Sequence, residues 1–131
     1  MTAGVAYWAL ERTSISALDT SSDGAADTFE YFYTDGGGGF TTSSTAATIL
    51  DNLSYDNSGT LAKLTVNRYG VHWVYVTIDG YLYVQYGQGD YTLAGALAAE
   101  RPTTMNEMQS IGIPIAKIIL QQGATDFYSV T

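Results

Sequence analysis

Residues 71–86, VHWVYVTIDGYLYVQY, constrain the fold more than any other stretch of this 131-residue chain. Two runs rich in β-branched and aromatic residues flank Asp79-Gly80, a pair suited to a two-residue turn whose central positions both take positive φ. Such a turn dictates a register. Ile78 falls opposite Tyr81, Val76 opposite Tyr83, Val74 opposite Gln85 and His72 opposite Gly87 on one face. On the other, Thr77 meets Leu82, Tyr75 meets Val84 and Trp73 meets Tyr86. Both faces then carry apolar or aromatic side chains. One is expected to cover the domain core. The other must meet a second sheet, a helix, a neighbouring subunit or a ligand, because large exposed aromatic patches are uncommon on soluble monomers. The plain reading places the hairpin centrally in a sandwich; the sharper one makes Trp73, Tyr75, Tyr81, Tyr83 and Tyr86 a carbohydrate platform or a subunit interface.

The flanking segments read as short strands and turns. Gly4 to Ile15 alternates imperfectly and is predicted as one strand, followed by a surface loop in SALDTSSDGAAD. DTFEYFYTD sets Phe29, Tyr31 and Tyr33 on one face and Thr28, Glu30, Phe32 and Thr34 on the other. GGGGF at 36–40 predicts a hairpin tip or flexible loop, since a run of glycines is entropically costly in a regular element. It lacks the Lys-Ser/Thr pair of a phosphate-cradling loop. FTTSSTAATIL is expected to form an edge strand. Asp56 to Gly59 supply a turn, and LAKLTVNRY forms the next strand. Leu93 and Leu97 with Ala94 and Ala98 make a narrow apolar stripe at helical spacing, capped by Thr92 or Asp90 and ended before Pro102. TTMNEMQSIG reads as a loop. In IPIAKIILQ, Pro114 suits a strand start, an edge or a bulge, and DFYSVT closes the chain as a last strand. The fold class expected is all-β: an antiparallel β-sandwich or jelly-roll-like domain with one short helix, spanning 1–131 as a single domain.

The acidic balance narrows the partners. Thirteen acidic residues against five basic ones give a formal charge of −8. No Lys/Arg cluster offers to neutralise a phosphate backbone or an anionic membrane surface, so neither nucleic acid nor membrane insertion is expected. No apolar run approaches the ~20 residues that span a bilayer, and MTAGVAYWALERT does not read as a signal peptide. The absence of cysteine removes disulfides, thiolate metal sites and Cys nucleophiles.

Catalytic patterns are equally sparse. His72, the single histidine, lies within a predicted strand without a nucleophile motif nearby and reads as a structural residue. Glu11, Glu30, Glu100 and Glu107 could pair across a cleft as glycosidase carboxylates, but their spacing does not pair them. Asp19, Asp23 and Asp27, with Asp56 and Asn57, offer oxygen ligands without the spacing of a calcium loop. No cofactor or metal is expected, and the chain reads as non-enzymatic.

NRYGVHWVYVTIDGYLYVQYGQGDYTLAGALAAERP followed by IPIAKIILQQGATDFYSV resembles segments of structural proteins of tailed bacteriophages, particularly tail-fibre and receptor-binding proteins. DTFEYFYTDGGGGFTT and ILDNLSYDNSGTLAKLTVNRYGVHW are similar in style, so the resemblance extends over most of the chain. It implies a β-rich virion module, commonly within a homotrimeric fibre, that contacts other virion proteins or a host-surface glycan. It brings no active-site residues. Such segments usually belong to longer proteins, so the chain is either a domain in itself or a fragment of a fibre protein. A carbohydrate-binding module using exposed aromatic side chains is the rival reading.

Overall fold

The computed structural model describes residues 4–8 and 11–15 as backbone strands, and residues 28–78, 80–104, 108 and 111–131. In chain order the elements are β1 (Gly4–Trp8), β2 (Glu11–Ile15), β3 (Phe29–Thr34), β4 (Phe40–Ala47), β5 (Ser54–Asp56), β6 (Leu61–Lys63), β7 (Tyr69–Thr77) and β8 (Leu82–Tyr86). Helix α1 (Leu93–Ala98), β9 (Gly112–Gln121) and β10 (Phe127–Val130) complete them. The fold is mostly β, as predicted. A six-stranded sheet in the order β10-β9-β7-β8-β3-β4 packs with the small β5–β6 sheet in a sandwich-like arrangement. The large sheet is mixed: β3 runs parallel to β8, and every other pairing is antiparallel.

The central hairpin forms, but its register is shifted by one from the predicted one. Tyr75 faces Tyr83, Val74 faces Val84 and His72 faces Tyr86. The reason lies in the turn. The Thr77 N–H donates to the Tyr81 carbonyl and the Gly80 N–H donates to the Thr77 carbonyl, so the loop has three residues, 78–80. Gly80 takes the left-handed position at φ +86°, as the last residue of a three-residue hairpin loop does. The expected Asp79-Gly80 turn is therefore overturned by the pairing on either side, while Asp79 itself lies outside the described residues. A one-residue slip moves every side chain to the opposite face relative to its partner strand. Trp73, Tyr75 and Tyr83 now share a face, and Tyr86 stands on the other with His72.

Both faces are covered by the chain itself. On the first, Phe29 and Tyr31 from β3 join Val76, Leu82, Val84 and Tyr86 in a cluster, with Leu50 and Leu61 laid over it from the 48–53 loop and β6. On the second, Phe32, Tyr75 and Met108 form one cluster, and Val71, Ala96 of α1 and Ile119 form another, with Trp73 between them. Gln85, fully buried there, donates to the Thr103 carbonyl at 2.8 Å and accepts from the Tyr75 hydroxyl at 3.2 Å. Its amide is thus paired on both sides, which a buried polar group requires. Within the chain, Ala96 of α1 and Met108 pack onto this face.

Other elements follow the residues closely. Asp35 accepts from the N–H groups of Gly37 and Gly39, so the glycine run is a hairpin tip between β3 and the edge strand β4. α1 is capped by the Thr92 hydroxyl, which accepts from the Gly95 N–H at 3.1 Å. The other end of α1 is held by the Lys117 ammonium, which donates to the Leu97 and Ala99 carbonyls and lies 5.2 Å over the Trp73 ring. Pro114 sits beside a bulge, since Val74 faces Ala116 while Tyr75 faces Pro114, leaving Ile115 without a partner in the ladder. Asp56 ties the small sheet to β3 by accepting from the Thr34 N–H and hydroxyl.

Three further expectations change. Gly4–Trp8 and Glu11–Ile15 pair as two antiparallel strands rather than one, with Trp8 opposite Glu11. LAKLTVNRY is not one strand: β6 ends at Lys63, and the chain turns through Asn67 at φ +65°, a conformation Asn tolerates better than most residues. The Asp90 carboxylate holds this turn by accepting from the Thr65 N–H and hydroxyl. Within TTMNEMQSIG, Met108 is helical and buried, and residues 105–107 and 109–110 lie outside the described residues. So does the predicted loop 16–27 with Asp19, Asp23 and Asp27.

Candidate carbohydrate-contact cleft

The five aromatic candidates separate sharply in exposure. Tyr75 and Tyr86 retain 1% and 3% of their surface and belong to the core. Tyr86 stacks on Tyr31 with ring centres 4.5 Å apart and donates its hydroxyl to the Asp51 carboxylate at 2.8 Å. Burial, reinforced by that carboxylate, pushes the Tyr86 phenol well above its ordinary pKa. Tyr31 is raised in the same way by burial, although the Asp51 N–H donates to its oxygen at 2.8 Å and opposes the shift. Trp73 is half-buried under Lys117. None of these three candidates, Trp73, Tyr75 and Tyr86, presents a free ring face to a ligand.

Tyr81 and Tyr83 are placed differently. Tyr81 follows the hairpin loop, where its N–H donates to the Thr77 hydroxyl at 3.2 Å, and its ring is 66% exposed. The parallel β3–β8 pairing sets Tyr83 beside Glu30 and carries Thr28 next to Tyr81. With Thr45 of β4 these residues line an open cleft of about 260 Å³. The Thr42 hydroxyl donates to Glu30 Oε1 at 2.8 Å and holds that carboxylate. Among the described residues, Glu30 is the one acidic side chain lining the cleft.

No family model, curated protein or solved structure matches the chain.

Chemically the cleft offers an aromatic ring, a carboxylate acceptor and the hydroxyls of Thr28 and Thr45. A pyranose presents an apolar C–H face that can lie on a tyrosine ring and hydroxyls that donate to a carboxylate. Hydrolysis needs a second carboxyl group across the bond to be broken; among the described residues the cleft lining holds one, Glu30. Of the other carboxylates considered, Glu107 and the Glu11 side chain lie outside the described residues, and Glu100 is exposed beyond α1.

His72 sits in the core with no exposed surface, 5.6 Å from the Tyr31 ring and 5.4 Å from that of Tyr86. Neither ring nitrogen makes a hydrogen bond of good geometry. Burial pulls its pKa down from 6.5 to about 4, outweighing the upward pull of the neighbouring Asp51 backbone and carboxylate. Asp56, one of the oxygen donors offered to calcium by sequence, has both carboxylate oxygens occupied, by Thr34 and by the Gly59 N–H.

A second depression lies on the opposite face between the 48–53 loop and β9–β10. It measures about 380 Å³ and is lined by Leu50, Ile115, Ala116, Ile118, Phe127 and Val130 among other apolar side chains. It offers no side-chain hydrogen-bonding group with which to orient a sugar. The sequence named both tyrosines and Glu30, but not their meeting: that depends on a parallel pairing between strands far apart in the chain, which no local pattern announces.

Proposed function

We propose that this chain is a non-enzymatic receptor-binding module of the tailed-phage fibre type, placed in the virion and taking a host-surface saccharide in the Tyr81 cleft. The observation that carries the saccharide part is the exposed Tyr81 ring standing in one concavity with an oriented carboxylate. The virion part rests on the resemblance of the hairpin and β9 segments to fibre proteins. Glycan-array binding followed by calorimetry of the best ligand tests the reading. Tyr81→Ala is expected to weaken binding about tenfold through loss of ring stacking, with an unchanged unfolding curve. An array without any bound glycan, or affinity indifferent to Tyr81→Ala, would count against it.

A purely structural role in the fibre is the second reading, favoured by the exposed Phe127 and Val130 beside the apolar depression. There a sister subunit of a trimer or another virion protein would bury apolar surface. Sedimentation over a concentration series, with Val130→Lys as the perturbing variant, separates this from the monomeric alternative.

A further inference from the structure

Resting on the saccharide reading of the Tyr81 cleft, we infer that Glu30 sets its charge selectivity, admitting neutral or amine-bearing sugars and rejecting acidic ones such as uronic or sialic acids. Three observations converge on Glu30. Among the described residues it is the one carboxylate in the lining, and no Lys or Arg of those residues lines the cleft. Lys117 is engaged with the end of α1 and Trp73, and Arg101 lies over the Tyr75 ring. The Thr42 hydroxyl donates to Oε1 and holds the carboxylate in place. The carboxylate can accept from a sugar hydroxyl or an ammonium group, whereas a sugar carboxylate would meet a like charge without a counter-ion.

The chain as a whole reinforces the effect. Its net charge of −8 places the cleft in a negative field that repels anionic ligands on approach and attracts cationic ones. Two unit charges about 4 Å apart in a water-like medium interact by an amount equivalent to about a fivefold change in affinity. The preference should shrink as added salt screens the pair.

The experiment measures binding of the intact chain to three matched monosaccharides, glucose, glucosamine and glucuronic acid, by competition against an immobilised array ligand. Wild-type protein is expected to rank them glucosamine, glucose, glucuronic acid, with each step about fivefold at low salt. Glu30→Gln keeps an acceptor oxygen but removes the charge, and is expected to compress the ranking while glucose binding changes little. If the ranking survives Glu30→Gln, the inference about Glu30 is overturned while the saccharide reading stands. If no sugar competes and Tyr81→Ala has no effect, the saccharide reading falls with it. A circular dichroism melt of each variant distinguishes lost folding from lost selectivity. Thr42→Val, which frees Oε1 without touching the charge, should leave the ranking intact; a ranking collapsed by that variant would also overturn the charge argument.

Discussion

Replacing His72 by Leu should remove most of the chain's loss of stability between neutral and mildly acidic pH. The imidazole is fully buried against Tyr31 and Tyr86, and burial holds its pKa at about 4 rather than the 6.5 of an unfolded chain. Below 6.5 the unfolded state takes up a proton that the folded state refuses, so the folding equilibrium shifts toward unfolding as pH falls. The loss begins near pH 6.5 and is complete below about pH 4, where both states are protonated. At about 1.4 kcal/mol per pH unit the displacement amounts to about 3 kcal/mol, a sizeable share of the 5–15 kcal/mol typical of a domain. Urea unfolding at closely spaced pH values, in wild type and His72→Leu, gives the difference curve directly. Carboxylates shared by the two proteins cancel in it. The variant should match or exceed the wild type at pH 4, because Leu removes two unpartnered nitrogens from the core. Parallel curves from pH 7 to pH 4 would falsify the assignment of a neutral, buried imidazole.

Other perturbations have equally definite outcomes. Tyr86→Phe strips the donor from the half-buried Asp51 carboxylate and should cost about 1–2 kcal/mol in denaturant unfolding. Gly59→Ala should cost more than about 2 kcal/mol, because φ is +101° and a Cβ would lie 2.5 Å from the Gly36 nitrogen. Gly38→Ala, at φ +93° but with nothing within 4 Å, should cost only the roughly 1 kcal/mol of the left-handed conformation. Lys117→Met keeps the stem on Trp73 but releases the Leu97 and Ala99 carbonyls, and faster amide exchange across α1 at a cost of about 1 kcal/mol would register it.

Local chemistry was legible in the sequence wherever a single residue decides it. Thr92 caps α1 as expected, Asp35 and the glycines make a hairpin tip, and Pro114 marks a bulge. The hairpin around Gly80 was legible in kind but not in register: a glycine at positive φ suits both a two-residue and a three-residue loop, and the choice reassigns every side chain of one strand to the other face. The two-residue turn sets Tyr86 opposite Trp73, whereas the three-residue loop sets it opposite His72. The break in LAKLTVNRY escaped because Asp90, which pins the turn, lies 25 positions beyond Thr65. Glu30 beside Tyr83 escaped for the same kind of reason, being a product of the sheet rather than of either strand.

The parallel pairing of β3 with β8 also orders the assembly of the molecule in time. The hairpins β3–β4, β7–β8 and β9–β10 each join neighbouring stretches of chain and can close within microseconds. Setting Phe29 beside Leu82 instead requires the ends of a long intervening segment to meet before any contact repays the lost freedom. Substitutions at this seam, such as Phe29→Leu, are therefore expected to slow refolding itself, as a stopped-flow folding limb would register. The cleft between Glu30 and Tyr83 belongs to the same seam and is completed only when that late step is.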